Sequence, residues 1–165
     1  MAISGFARSH RLALLLAAGL LGLAVAVLPQ PLRADAPAGR YVAMGASVVD
    51  TQTGLEWQSN VAPSALSWAD ATSYCASLGD GGGAWRLPTV TEAATLIDES
   101  RANPAIDATA FPNAPVDVFW TSSALSEYSG VYAWTISSAN GGITFFTTAQ
   151  LCRVRCVRSP GATGD

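Results

Sequence analysis

The stretch between residues 83 and 92 constrains the fold of this chain more than any other. Pro88 cannot continue a helix, and it favours an extended conformation for the residue before it. Thr89 and Glu92 stand three positions apart as a capping box, in which each side chain bonds a backbone amide at a helix start. The stretch therefore predicts a corner at which an extended segment turns into a helix.

Arg86 in the same stretch has two interpretations. As a structural residue it lies near a carboxylate or loop carbonyls at the corner after Trp85; as a functional residue it binds an anionic ligand. Perturbed charged groups occur in structural ion pairs as well as in functional sites, and we favour the structural interpretation. The residues that we assign to the framework are Trp57, Trp68, Trp85, Arg86, Thr89 and Glu92.

The N-terminus has the pattern of a signal peptide. Arg8, His10 and Arg11 precede an apolar run over residues 12–28, and small residues follow it. We predict cleavage after Ala34 and export to the periplasm or out of the cell. An uncleaved anchor is the alternative, because about twenty apolar residues suffice to span a bilayer; only in that case does the protein contact a membrane.

Four segments follow from these boundaries. They are a signal peptide (residues 1–34), a linker with the first extended segment (35–45), one folded domain (46–158) and a flexible tail (159–165). The part after the signal peptide is long enough for one domain with its own core.

Composition excludes several chemistries. The chain has no lysine, and its one histidine, His10, lies in the predicted signal peptide. A Ser-His-Asp triad, a lysine Schiff base and a His-ligated zinc site are therefore all excluded from the exported part. The net charge of −3 becomes more negative once the basic signal peptide is removed, which disfavours nucleic acid as a partner. We predict a protein that is not an enzyme and that needs no cofactor and no metal.

Helical spacing predicts two helices. The first begins after the N-cap Ser67 and buries a stripe of Trp68, Ala71, Thr72, Cys75 and Leu78. The second covers residues 90–97, after the capping box.

Alternating β-rich runs predict strands at residues 41–44, 47–49, 55–57, 119–123, 131–136, 143–148 and 152–157. A long irregular loop over residues 99–118 would be anchored by Ile106, Phe111 and Val116. In the last run Cys152, Val154 and Cys156 would lie on the face opposite Arg153 and Arg155.

Three cysteines in an exported chain predict one disulfide. Cys152 and Cys156 would stand about 13 Å apart in a strand, which is too far for a bridge between them. One of the two therefore pairs with Cys75, and spacing leaves open which one does.

Five motifs, taken together and in order, resemble a known family. They are Thr53–Gln58, Leu66–Ala71 followed by Tyr74-Cys75, Trp85–Thr89, Phe119–Ser123 and Arg155–Arg158. Over residues 46–158 the chain resembles the C-terminal domain of the Legionella collagen-like adhesin.

The resemblance implies a fold and a cysteine pairing. The fold is α+β and C-type-lectin-like, with two short helices packed on a twisted, mostly antiparallel sheet and a long irregular loop, distantly related to formylglycine-generating enzymes. The family's cysteine positions imply a Cys75–Cys156 disulfide with Cys152 free.

The resemblance also implies a function. We predict an exported, non-catalytic binding or adhesion module whose partner is a glycan or another envelope component. The parent adhesin is associated with sulfated polysaccharides and with attachment. One alternative is a structural or assembly domain with no small ligand; a less favoured one is a formylglycine-generating-enzyme-like oxidase that uses Cys152.

Loop length suggests where a ligand would bind. The loop 99–118 and the segment 124–130 flank the strand 119–123, and the first is long enough to fold back toward the second. Aromatic faces near amides and carboxylates suit a neutral sugar. The candidate ligand-binding residues are Asp107, Asn113, Asp117, Trp120, Glu127, Tyr128 and Tyr132. The alternative is a well-packed loop that closes the core.

Two charged groups have both a functional and a structural interpretation. Arg153, Arg155 and Arg158 either bind sulfate or carboxylate, or keep an exposed edge strand soluble. Acidic residues around Asp98 and Asp107 either bind calcium or are solvated surface charge. We favour the structural interpretation of each.

Overall fold

The computed structural model describes residues 37–79, 84–128 and 130–159, all of them within one compact unit. The predicted signal peptide and nearly all of the predicted tail lie outside the described residues. Within the ranges described, no helix is long and apolar enough to cross a membrane.

Seven strands and two α-helices make up the described domain. In chain order they are β1 (Tyr41–Met44), β2 (Ser47–Asp50), β3 (Leu55–Gln58), α1 (Trp68–Ser77), α2 (Val90–Ala94), β4 (Val118–Ala124), β5 (Tyr132–Ser137), β6 (Ile143–Thr147) and β7 (Val157–Arg158). A single 3-10 turn, Ser126–Tyr128, lies between β4 and β5.

The strands form two antiparallel sheets. The first has the order β1-β2-β3-β7 and the second the order β4-β5-β6. The predicted α+β class is therefore confirmed, with two separate sheets where one was expected.

The first sheet is built on the predicted hairpin. Gly54 takes a positive φ of 69° at the end of the turn, which a residue without a Cβ adopts at little cost. The turn sets Val48 opposite Trp57, and both are buried. Arg40, just before β1, donates to the fully buried Asp50 at the far end of β2.

Both helices begin as predicted, and α2 is shorter than predicted. Ser67 accepts from the amide of Asp70 at the start of α1, and Thr89 with Glu92 forms a complete capping box at the start of α2. α2 ends at Ala94, and the amides of Leu96 and Ile97 bond carbonyls three residues back. The tighter turn ends the α-helix before Ile97.

The predicted stripe of α1 is correct at Ala71 and Cys75, which are fully buried, and wrong at Thr72. Thr72 is exposed, and its hydroxyl donates to the carbonyl of Trp68 one turn earlier. Tyr74 is half-buried instead, since it packs against the core, and its hydroxyl accepts from the side-chain amide of Gln58 on β3.

The predicted last strand, residues 152–157, is mostly wrong. Only Val157–Arg158 joins a sheet, while Cys152 bridges to Leu66 and Arg153 bridges in parallel to Phe119. The segment 152–156 thus runs between the two sheets, covered from both sides, and we call it the joint segment. Arg155 is consequently as buried as Val154 and Cys156, so the favoured interpretation of its charge as one that keeps an exposed edge strand soluble is wrong.

A disulfide ties the joint segment to α1. Cys75 is bonded to Cys156, and Cys152 is buried with a free thiol. This confirms the pairing that the family resemblance implied.

The long loop packs against the first sheet. Ile106 and the fully buried Phe111 share a core cluster with Val48 and Trp57, so the loop is anchored as expected. Val116, expected as a third anchor, is half exposed.

Candidate functional site

Residues from the motifs that carry the family resemblance hold the first sheet together. Glu56 on β3 accepts two hydrogen bonds from Arg158 on β7, at 2.8 and 2.9 Å. The guanidinium of Arg158 also lies 4.6 Å from the ring centre of Trp85, within the range of a cation–π contact. Trp57 beside them is fully buried. These residues stabilise the fold and leave little of their surface for a ligand.

Arg86 forms an ion pair with Glu92, the acidic residue of the capping box. Its guanidinium donates to both carboxylate oxygens of Glu92, at 2.8 and 2.6 Å, and to the carbonyl of Leu87. The same carboxylate accepts from the amide of Thr89. Arg86, with help from those hydrogen bonds, lowers the pKa of Glu92 to about 2. Arg86 is therefore hydrogen-bonded both to the extended segment before α2 and to the first turn of α2.

A groove of about 460 Å³ borders the Glu56–Arg158 pair, and Met44, Ser47 and Trp85 are among the residues that line it. Its polar side chains already have hydrogen-bond partners within the protein. Ser47 donates to Glu56, and Gln58 donates to Tyr74 while accepting from the amide of Cys156. A ligand in the groove would have to break bonds within the protein, which disfavours it as a specific site.

The structure separates the predicted loop residues from the predicted tyrosines. Asp107 is buried and accepts from the amides of Thr109 and Ala110, so it caps a turn of the loop. Asp117 pairs with Arg153 at 3.0 Å. Asn113 is exposed and takes a positive φ of 60°.

The separation between Asp117 and Tyr132 follows from the register of the second sheet. Val118, next to Asp117, pairs with Ser137 at one end of β5, and Tyr132 is at the other end. Five residues of strand place these ends about 16 Å apart. The loop 99–118 therefore does not fold back toward residues 124–130 as expected; it packs on the first sheet, where its apolar side chains find a partner.

Trp120 is the clearest correction among the candidate ligand residues. It is fully buried, and its indole N–H donates to the carbonyl of Leu66 at 2.9 Å. It offers no ring face to a surface ligand.

Two of the predicted residues belong to a larger exposed feature, which we call the aromatic row. Tyr128 packs edge-to-face on Tyr132, Tyr132 on Phe145, and Phe145 on Trp134, with ring centres 5.7–5.9 Å apart. Alternation puts Tyr132, Trp134 and Ile136 on one face of β5, as predicted, and Trp134 pairs with Phe145 on β6. α2 contacts β5, and Ile136 is buried with Ala93 of that helix. The rest of this face is open.

The row is accessible and carries polar atoms. Tyr128 is 55% exposed and Phe145 is 45% exposed. Within the described ranges, no hydrogen-bond partner is found for the hydroxyls of Tyr128 and Tyr132 or for the indole N–H of Trp134. Glu127, next to Tyr128 in the chain, is also exposed.

Trp134 and Phe145 were missed as site residues by the sequence reasoning. The available signal was the alternation of Tyr132 and Trp134 in one strand with Phe145 in the next. Which face of that hairpin is covered depends on the position of α2, and the pattern alone does not specify it.

The remaining candidate groups offer little chemistry. Burial raises the pKa of the Cys152 thiol to about 11, which disfavours the reactive thiolate. Among the residues that the structure describes, no group of three His, Cys, Asp or Glu side chains is arranged to hold a metal ion.

A folded, disulfide-bonded α+β domain whose sequence motifs form its internal framework is thus the class that the structure defines. The chain matches the family model of the Lcl C-terminal domain over residues 46–158, and it belongs to that family. A search of curated proteins found no match.

Proposed function

We propose that this protein is an exported, non-catalytic binding module that holds a neutral glycan against the aromatic row. The observation that carries the proposal is the row itself: four rings in consecutive edge-to-face contact on an open sheet face. Adhesion would be its biological use, in keeping with the family resemblance. The lectin-like character of the fold belongs to the same proposal.

The chemistry of the row favours a sugar over a purely apolar partner. Ring faces pack against the C–H faces of a pyranose, while tyrosine hydroxyls and an indole N–H supply hydrogen bonds. Thr147, exposed and paired with Tyr132 across the strands, adds a further hydroxyl. A few placed polar groups among aromatic side chains are typical of small-ligand sites.

Charge favours a neutral sugar over a sulfated one. The exposed and half-buried arginines of the described residues are all paired with carboxylates; they are Arg40, Arg86, Arg101, Arg153 and Arg158. The carboxylate nearest in sequence to the row, Glu127, would repel sulfate.

An assembly domain is the second candidate, and one observation favours it. β6 is an edge strand of its sheet, and Ile143 and Phe145 on it are about half exposed. Such an edge can pair with another chain. In that case β6 and its exposed side chains would belong to an interface with a second copy, and the row would serve assembly and bind no glycan.

The test is a glycan screen of the purified protein that includes neutral and sulfated oligosaccharides, followed by titration calorimetry with the best ligand. We expect neutral glycans to bind, and Tyr132→Ala and Phe145→Ala each to weaken binding about tenfold, which is about 1.4 kcal/mol. Circular dichroism first establishes that each variant folds.

Leu151→Ala is the matched control, because Leu151 is 68% exposed and lies outside the row. Its affinity should equal that of the unchanged protein. Equal affinity in all variants would place the site elsewhere. A dimer in analytical ultracentrifugation that Phe145→Ala abolishes, with no glycan bound, would favour the assembly domain instead.

A further inference from the structure

Arg155 is unlike the other described arginines, since the structure gives its guanidinium no carboxylate partner within the described residues. It is only 3% exposed, so bulk water does not solvate the charge either. Burial lowers its pKa to about 10, which still leaves the group protonated at neutral pH. The joint segment therefore carries a positive charge into the interior, where charges are normally paired.

One edge of this guanidinium is satisfied and the other is not. Nη1 donates to the carbonyls of Gln58 and Ser59 at 2.7 and 2.6 Å, and the ring of Phe111 lies 4.6 Å from the guanidinium carbon. Nε and Nη2 have no acceptor among the described residues. These two nitrogens form the side of the guanidinium fork that binds anions with two parallel hydrogen bonds.

Arg155 lines a small internal cavity of about 20 Å³. That is room for one guest of about the size of a water molecule. Trp57 also lines the cavity, and its buried indole N–H likewise lacks an acceptor in the part of the chain that is described. Both residues that line the cavity thus carry unsatisfied donors, three in all.

The other residues that line the cavity provide hardly any free hydrogen-bond acceptor. Their side chains are apolar or already bonded: Trp120 donates to Leu66, and the Ser138 hydroxyl donates to the Pro115 and Asp117 carbonyls and accepts from the Asp117 amide. A water molecule could accept from these donors, but it would leave the charge of the guanidinium uncompensated. A halide accepts several hydrogen bonds and neutralises the guanidinium.

We propose that this cavity is a binding site for one small monovalent anion, of the size of chloride, held by the Nε and Nη2 edge of Arg155 together with the indole N–H of Trp57. The anion stabilises the joint between the two sheets, because it binds only the folded state. Sulfate and organic anions are too large for the cavity. This site is separate from the aromatic row and does not depend on it.

The first test is a crystal structure of the protein grown in sodium bromide, with anomalous data collected at the bromine absorption edge. We expect an anomalous peak within hydrogen-bond distance of Arg155 Nε and Nη2. Density there without an anomalous signal would identify a water molecule and overturn the proposal, as would bromide found only at the surface.

The second test measures the thermal unfolding midpoint in sodium chloride and in sodium gluconate at equal ionic strength. Chloride at saturation should raise the midpoint by roughly 3–6 °C over gluconate. Arg155→Met should lose this difference, while the matched control Arg153→Met, at an ion-paired and more exposed neighbour, should keep it. Equal midpoints of the unchanged protein in the two salts would overturn the proposal. If Arg155→Met does not fold, the bromide experiment decides.

Discussion

At the scale of single residues, arginine has a different role at each position in this protein. Arg86 completes a capping box through Glu92, and Arg158 joins β3 to β7 through Glu56 while covering Trp85. Arg155 lies in the interior and has carbonyls as partners. Partner and burial decide the role, and neither is visible from residue type.

The Arg86–Glu92 pair makes stability depend on pH. The pKa of Glu92 in the folded state is about 2, below its ordinary value of 4.5, so the pair contributes stability above pH 4.5 and loses it as the pH falls toward 2. We expect Glu92→Gln to reduce the free energy of unfolding by about 1 kcal/mol at pH 7, because Arg86 is partly solvated. Urea unfolding at pH 7 and pH 3 measures this.

The loss between those two pH values should be smaller in Glu92→Gln than in the unchanged protein. Glu127→Gln, at an exposed carboxylate, is the control and should leave both values as they are. An equal acid loss in Glu92→Gln and in the unchanged protein would contradict the assignment.

At the scale of elements, the turn between β5 and β6 packs closely against Ile97, which lies just after the end of α2. Gly141 takes a positive φ of 77°, and its amide bonds the carbonyl of Ser137. A Cβ built on Gly141 would lie 2.7 Å from Cγ2 of Ile97. The hairpin that carries the aromatic row is therefore positioned by a close backbone approach.

Gly141→Ala should destabilise the protein by about 2–4 kcal/mol, since it adds a steric clash to the strain of a positive φ. Gly54→Ala measures the strain of a positive φ without a clash, because Gly54 has a φ of 69° and nothing lies within 4 Å of its Cβ position. We expect about 1 kcal/mol there. Chemical denaturation of both variants measures the difference, and equal losses would show that Ile97 moves aside at little cost.

At the scale of the whole molecule, one covalent bond connects parts that are distant in sequence. The Cys75–Cys156 disulfide joins α1 to the joint segment across 81 residues. The segment itself bonds both sheets, through the Cys156 carbonyl to Gln58 and through the Arg153 carbonyl to Trp120. The disulfide thus restricts the unfolded chain over most of the domain.

Replacing the pair by Cys75→Ala/Cys156→Ala should lower the free energy of unfolding by roughly 4 kcal/mol, as expected for a loop of this length. Cys152→Ala, at the buried free thiol, should cost less. Equilibrium unfolding without reductant checks both, and peptide mapping under the same conditions identifies the bond. A double variant as stable as Cys152→Ala would show that the loop constraint contributes little.

The local elements and the family could be predicted from the sequence. Ser67, the Thr89–Glu92 capping box and the Gly54 turn each act within a few residues, so their geometry depends little on the rest of the chain. The α+β class and the family membership followed from such local signals taken in order. The pairing of Cys75 required the resemblance, since spacing left Cys152 and Cys156 equivalent.

The burial of whole faces was decided by the tertiary structure alone. Alternation indicated two faces of residues 152–157, but cover from both sheets buried Arg155 with its neighbours. The same cause placed Trp120 in the core and left Trp134 and Phe145 on an open face beyond α2. A period-two pattern states which side chains lie together, whereas exposure depends on the element that packs above them, and that element comes from elsewhere in the chain.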